Sequence, residues 1–215
     1  MTSAPVKLPP HAPGMRIGLF GGSFDPPHEG HALVSSIALR RLRLDRLWWL
    51  VSPGNPLKDT SGLASLDARI AAARQIAQDP RIVVTGFEAE IGSRYTADTL
   101  RFLHARCPGA RFVWIMGADN LLQFHRWRDW EEILRTTPVA VIDRPGATLK
   151  AASAKAALRF PDSRLDERAA GLITNAIPPA LVYLHGPRSP SSSTELRRRA
   201  GGSGRLALTS GRKAE

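Results

Sequence analysis

The segment Gly21-Gly22-Ser23-Phe24-Asp25-Pro26-Pro27-His28-Glu29-Gly30-His31 concentrates groups that can hold phosphate. It follows a short apolar run, Ile17-Gly18-Leu19-Phe20, and precedes a stretch, Ala32–Leu42, that reads as a helix. A strand feeding a glycine-rich turn that opens a helix presents backbone N–H groups and a helix N-terminus, both favourable to anions. His28 and His31 sit at the mouth of that helix. Their ring N–H groups can donate to phosphate oxygens as negative charge develops. Gly30 lets backbone and ligand approach closely. The same two histidines could begin a zinc site, but no cysteine pair or nearby His/Asp cluster supplies the remaining ligands. Taken alone, they are also compatible with an ordinary helix start at the surface.

The elements that must position these residues are read from the apolar pattern. Arg16–Phe20, Leu47–Val51, Ile82–Thr85, Phe112–Met116, Val139–Ile142 and Leu181–Leu184 read as strands. Helices are expected at Ala32–Leu42, at Leu66–Gln78 with Ser65 as cap, and at Thr96–Arg106 with Thr96 as cap. Further helices are expected at Asp129–Thr136, Ala151–Phe160 and Leu165–Asn175, and another opens near Ser193. Strands alternating with helices predict an α/β fold, a Rossmann-like doubly wound parallel sheet with helices on both faces. Continuous rather than alternating apolarity suits strands buried on both sides. In such folds ligands bind beyond the carboxyl ends of the strands, where the strand order reverses.

The chain has 215 residues, 43% of them hydrophobic and 23% charged, which suits one globular domain over 15–199. Residues 1–14, with four prolines and no apolar signal core, read as a disordered extension, and 200–215 as a flexible basic tail. No apolar run approaches the ~20 residues of a membrane span. A single cysteine, Cys107, excludes an internal disulfide framework and a cysteine-rich zinc site, so the cytoplasm is the expected compartment. The net charge is +11, and 188–215 contributes seven basic against two acidic residues. Such a surface suits anionic small molecules. No recognised nucleic-acid motif accompanies it, and nucleic acid is not the expected partner.

The stretch from Gly22 to His31 resembles the HxGH signature of the nucleotidylyltransferases, and its longer form is similar to that of the bacterial nicotinate mononucleotide adenylyltransferases. Further elements follow in that family's order. Pro53-Gly54-Asn55-Pro56-Leu57-Lys58 resembles its loop near substrate and triphosphate, and Tyr95-Thr96-Ala97-Asp98-Thr99-Leu100 its YTxxTL element. Gly117-Ala118-Asp119-Asn120-Leu121 resembles its GxDxL element, Phe124-His125-Arg126-Trp127 its FxxW element, and Arg144-Pro145-Gly146 its RxG element. Ser192-Ser193-Thr194-Glu195-Leu196-Arg197 resembles the superfamily's second signature, ISSTxxR. There, Ser192 and Glu195 have capping-box spacing. Two departures stand out. Ser191 occupies the place of the usual isoleucine, and the chain passes quickly from Arg198 into Gly201-Gly202-Ser203-Gly204.

The resemblance implies adenylyl transfer from ATP to nicotinate mononucleotide, giving deamido-NAD and pyrophosphate. It implies catalytic roles for His28, His31 and Arg197. It implies ATP contacts for Gly21, Gly22, Ser23, Phe24, Gly30, Gly117, Asp119, Ser192, Ser193 and Thr194. Asn55, Lys58, Tyr95, Thr96, Trp127, Arg128 and Arg144 are implied at the mononucleotide, with Trp127 stacked on the pyridine ring. Trp48, Trp49 and Trp114 lie in expected strands and are assigned to structure. Mg²⁺ is expected with ATP, and no protein ligand for it is named. A homo-oligomer is compatible with the sequence. Nicotinamide mononucleotide as substrate, another transferase of the superfamily, a nucleic-acid-binding protein and a catalytically silent nucleotide sensor remain open on sequence alone.

Overall fold

The computed structural model describes residues 6–54, 62–143 and 154–186. Among the described residues, seven strands form one all-parallel sheet in the order β3-β2-β1-β4-β5-β7-β6. They are β1 (Arg16–Gly22), β2 (Arg46–Val51), β3 (Ile82–Thr85), β4 (Arg111–Gly117), β5 (Val139–Ile142), β6 (Arg164–Leu165) and β7 (Leu181–Leu184). The order runs outward from β1 through β2 and β3 on one side and from β4 on the other. The reversal therefore falls between β1 and β4, which is the topological switch point of a doubly wound sheet.

Period-two packing explains the continuous apolarity of these strands. Trp48 and Trp49 are adjacent in β2, both wholly buried, and point to opposite faces. One core gathers Ile17, Leu19, Trp48, Trp114 and Met116, and the other Phe20, Trp49, Val113, Ile115 and Ile142. The close approach of β1 to its neighbours needs glycine. A Cβ at Gly18 would lie 2.6–2.8 Å from Cδ1 of Leu44, Ile115 and Leu47. A Cβ at Gly21 would lie 2.7 Å from Cη2 of Trp114, a rigid ring.

Among the described residues the α-helices are α1 (Glu29–Arg41), α2 (Leu66–Ile76), α3 (Phe87–Glu90), α4 (Thr96–Arg106), α5 (Ala118–Gln123), α6 (Trp130–Thr136) and α7 (Lys155–Arg159). Among the described residues no helix is long and apolar enough to cross a membrane. A buried relay ties α1 to the sheet. Trp49 Nε1 donates to Ser35 Oγ at 2.8 Å, and Ser35 Oγ donates to the His31 carbonyl at 2.8 Å.

Several elements differ from expectation. Helix α1 starts at Glu29 rather than Ala32, because histidine side chains cap it. Leu165–Asn175 is not one α-helix. Leu165 ends the short strand β6, and Glu167–Asn175 is a 3-10 helix capped by Asp166, whose side chain accepts from the Arg168 N–H at 2.7 Å. Of Ala151–Phe160, residues 155–159 are helical and 151–153 lie outside the described residues. The expectation of a disordered extension fails for residues 6–14. Val6 and Leu8 pack on the core, Pro9 is buried, and the His11 ring meets Trp48 edge-on at 6.2 Å. The Gly14 N–H donates to the Gly109 carbonyl at 2.8 Å. Burial of these few apolar groups offsets the entropy of ordering a proline-rich stretch.

Gly21→Ala should lower stability by about 2 kcal/mol, the usual cost of overpacking a filled core. Denaturant unfolding of the variant checks this. An unchanged midpoint would show that Trp114 can move aside.

Candidate active site

The carboxyl end of β1, the loop after β2, helix α3, the start of α4, β4, and α5 with the segment that follows it enclose a cavity of about 600 Å³. Its wall includes Gly21 and Gly22 at the end of β1, Ser23 just after it, and Ser52, Pro53 and Gly54 after β2. Glu88 comes from α3, and Arg94, Tyr95 and Thr96 from the start of α4. Trp114, Asn120, Arg126, Trp127 and Arg128 complete it. Of the expected site residues, the fold thus brings Gly21, Gly22, Ser23, Tyr95, Thr96, Trp127 and Arg128 around one space.

The histidine pair lies at the N-terminus of α1, and its chemistry follows from capping. His28 is the N-cap, and its Nδ1 accepts from the Gly30 N–H at 3.0 Å. His31 Nδ1 accepts from the His28 N–H at 3.2 Å. The two rings lie 4.0 Å apart and form a reciprocal capping box in which imidazoles replace the usual hydroxyl and carboxylate. A ring nitrogen that accepts from an N–H carries no proton. The neutral rings therefore hold their proton on Nε2, so the backbone selects the tautomer in which Nε2 is a donor. Gly30 is buried within this cap.

Phe24, expected among the ATP contacts, has a different geometry. Its side chain is buried, stacked on Trp49 at 4.8 Å and set against the His31 ring at 4.8 Å. It supports His31 from behind, and its φ of 48° makes it a strained non-glycine position in the turn. Gly117 ends β4 across the switch point, with Asp119 exposed in the first turn of α5. Neither lines the cavity, whereas their neighbour Asn120 does. Asn55, Lys58, Arg144, Ser192, Ser193, Thr194 and Arg197 lie outside the described residues.

The aromatic wall is rigid. Trp127 packs against Phe124 at 5.2 Å and 71° and against Trp114 at 6.3 Å and 82°. Trp114 was expected to be purely structural, yet it both fills the core and lines the cavity. Arg128 lies 4.1 Å over the Tyr95 ring and donates through Nη2 to both Asp98 carboxylate oxygens at 2.7 Å. Arg101 bridges Asp98, Asp129 and Glu132, tying α4 to α6. Thr96 is not the cap of α4. Tyr95 holds that position without a side-chain cap, and Thr96 is the first helical residue.

Two further residues were not singled out from sequence. Arg69 of α2 is buried, and its guanidinium donates to the carbonyls of Ala64 at 2.9 Å and of Ser23 and Ser52 at 2.8 Å each. It clamps together the loops after β1 and β2. Burial holds its pKa below the usual arginine range, and the charge of Asp25 acts against that. Glu88 is 8% exposed and accepts a hydrogen bond from Thr99 Oγ1 at 2.8 Å. Burial pushes its pKa up to about 7, although the Thr99 bond opposes the rise. Its position after a strand's carboxyl end was the one signal available in the sequence.

The raised Glu88 pKa fixes a sign for stability. Stability is fully present below the unfolded carboxyl value near 4.5 and is lost as pH rises through about 7. Glu88→Gln keeps an acceptor for Thr99 and removes the titration. The variant should gain stability over wild type on going from pH 5 to pH 8, by on the order of 3 kcal/mol. Paired denaturation curves at the two pH values test this, and a pH-independent difference would contradict it.

The comparisons with known proteins agree with this geometry. Residues 19–199 match the family model described as Cytidylyltransferase-like. A relative from Methylorubrum extorquens is 64% identical over 185 residues, covering 86% of this chain and 100% of the relative. One from Brucella suis is 57% identical over 184 residues, covering 86% of this chain and 95% of the relative. Both are named "Probable nicotinate-nucleotide adenylyltransferase". In fold the chain is similar to the Plasmodium falciparum nicotinic acid mononucleotide adenylyltransferase complexed with NaAD. That match has a TM-score of 0.63 at 18% identity and covers 86% of this chain and 83% of the other. The chain belongs to the cytidylyltransferase-like superfamily and, within it, to the nicotinate-nucleotide adenylyltransferase family.

Proposed function

We propose that this enzyme transfers the adenylyl group of ATP to nicotinate mononucleotide, releasing pyrophosphate and forming deamido-NAD, a step of NAD biosynthesis. The observation that carries the reading is the adjacency of two subsites. A histidine-capped helix N-terminus follows the β1 turn, and a tryptophan-walled cavity beside the same turn reaches the N-terminus of α4. The first suits a triphosphate, and the second a flat anionic ring. An indole stacked on an electron-poor pyridine adds about 1 kcal/mol beyond area burial. The first-turn N–H groups of α4 are natural partners for a ring carboxylate.

The attacking group is the mononucleotide phosphate, which strikes the α-phosphorus in line. Its second pKa is near 6, so at neutral pH it is already an anion and no general base is needed. Catalysis then consists of aligning two anions and stabilising charge on the leaving pyrophosphate. His28 and His31 donate through Nε2 to phosphate oxygens. Arg69 preserves the loop geometry on which that alignment depends. Mg²⁺ enters with the triphosphate as part of the substrate, and no protein ligand is assigned to it. Lys58, Arg144 and the Ser192–Arg197 signature are assigned further phosphate contacts by family resemblance. The cytoplasm, where such nucleotides are made, is the assigned compartment.

Incubation with ATP, Mg²⁺ and each mononucleotide separately should release pyrophosphate with nicotinate mononucleotide. Release with neither mononucleotide would overturn the reading. His28→Ala and His31→Ala should each lower turnover at least tenfold while circular dichroism stays native. Wild-type rates in a folded double variant would remove the histidines from the mechanism.

A further inference from the structure

Glu88 is a buried carboxyl in a pocket offered to an anion, an arrangement that needs an explanation. Among the described residues no cation pairs with it. Charged and titratable neighbours around the same cavity are Arg94 and Tyr95 before α4, and Arg126 and Arg128 from the segment before α6. Arg128 is held by Asp98. Glu90 lies on the short α3 helix itself and is exposed. Phe87 anchors α3 by stacking on Phe102 of α4 at 6.2 Å.

The carboxyl is oriented rather than loose. Thr99 Oγ1 donates to Oε1, and Ser93 Oγ lies 3.0 Å from Thr99 Oγ1 while donating to the Tyr95 carbonyl at 3.1 Å. The Ser93 N–H donates to the Glu88 carbonyl at 2.8 Å. Thr99 lies one turn along α4 from Thr96, on the same side of the helix. Glu88 is thereby held alongside the first turn of α4, whose N–H groups the function reading assigns to a ring carboxylate.

We propose that Glu88 determines specificity at the pyridine substituent, meeting a ring carboxylate as the neutral acid and donating its proton in a hydrogen bond to it. The inference rests on the mononucleotide reading given above. With Oε1 accepting from Thr99, Oε2 is the oxygen that carries the proton. Two carboxylates brought within hydrogen-bond distance share one proton, since both cannot remain ionised in a desolvated site. Binding of nicotinate mononucleotide to ionised Glu88 therefore takes up one proton from solvent. A carboxamide has the opposite preference, because its NH₂ donates to an ionised carboxylate. Selectivity between the two mononucleotides becomes a function of pH. Burial holds Glu88 near the middle of the neutral range, where its charge can change.

Isothermal titration calorimetry with each mononucleotide at pH 6 and pH 8, on wild type and Glu88→Gln, tests this. The mononucleotide phosphate titrates equally in both ligands, so it cancels from the ratio of their dissociation constants. In wild type that ratio should shift toward nicotinamide by about a hundredfold between pH 6 and pH 8, because about a pKa near 7 the protonated fraction falls about tenfold while the ionised fraction rises about tenfold. In Glu88→Gln it should stay constant, because the amide cannot titrate. At pH 7.5, buffers of different ionisation enthalpy should report uptake of most of one proton by wild type with nicotinate mononucleotide, and none by the variant. A constant wild-type ratio, or an undiminished shift in the variant, would overturn the role of Glu88 while leaving the function reading intact. Failure of both ligands to bind wild type would overturn the reading itself, and the inference with it.

Discussion

A sheet buried on both faces has no surface left for chemistry except its ends, and this constraint governs the molecule. Trp48 and Trp49 pack into opposite cores, and every strand except the short edge strand β6 sends apolar side chains to both. Polar function is displaced to the carboxyl ends of the strands. There the reversal of order between β1 and β4 opens a crevice. Gly21 is where core and crevice meet. Its missing side chain leaves room for the Trp114 ring beneath the turn, so one residue of the hydrophobic core also forms the wall of the site.

The groups at that end are organised by backbone more than by charge. The two histidines take their tautomers from amide N–H groups at the start of α1, before any ligand arrives. Arg69 commits its guanidinium to three carbonyls and so fixes the loops after β1 and β2. Glu88 is held through Thr99 and Ser93. Arg69 and Glu88, the buried ionisable side chains here, are thus each bonded to a neighbour, as a low-dielectric interior requires. Such preorganisation means little reorganisation accompanies the arrival of charge.

The sheet was legible in the sequence because continuous apolar runs of strand length have few other readings. The exceptions have local causes. Strand β6 is two residues long and carries no pattern of its own. The start of α1 was hidden because histidine is an uncommon cap and Gly30 a poor helix former. Residues 6–14 read as disordered because proline dominates them, whereas their order comes from tertiary contact with Trp48 and the core. At the site, the glycine turn, Tyr95, Thr96 and Trp127 stood out by motif. Arg69 and Glu88 did not, since each looks like a surface residue of an ordinary helix until neighbouring loops close over it. Burial of a charged side chain is a property of the assembled fold.

The central claim is that one helix N-terminus holds the triphosphate while the adjacent cavity holds the pyridine mononucleotide. A crystal structure with nicotinate mononucleotide and a non-hydrolysable ATP analogue measures this directly. The account predicts the phosphates within hydrogen-bond distance of Nε2 of His28 and His31. It also predicts the pyridine ring on Trp127, with its carboxylate between the first turn of α4 and Glu88. Phosphates bound away from the start of α1, or a ring seated outside the Trp127 cavity, would contradict it.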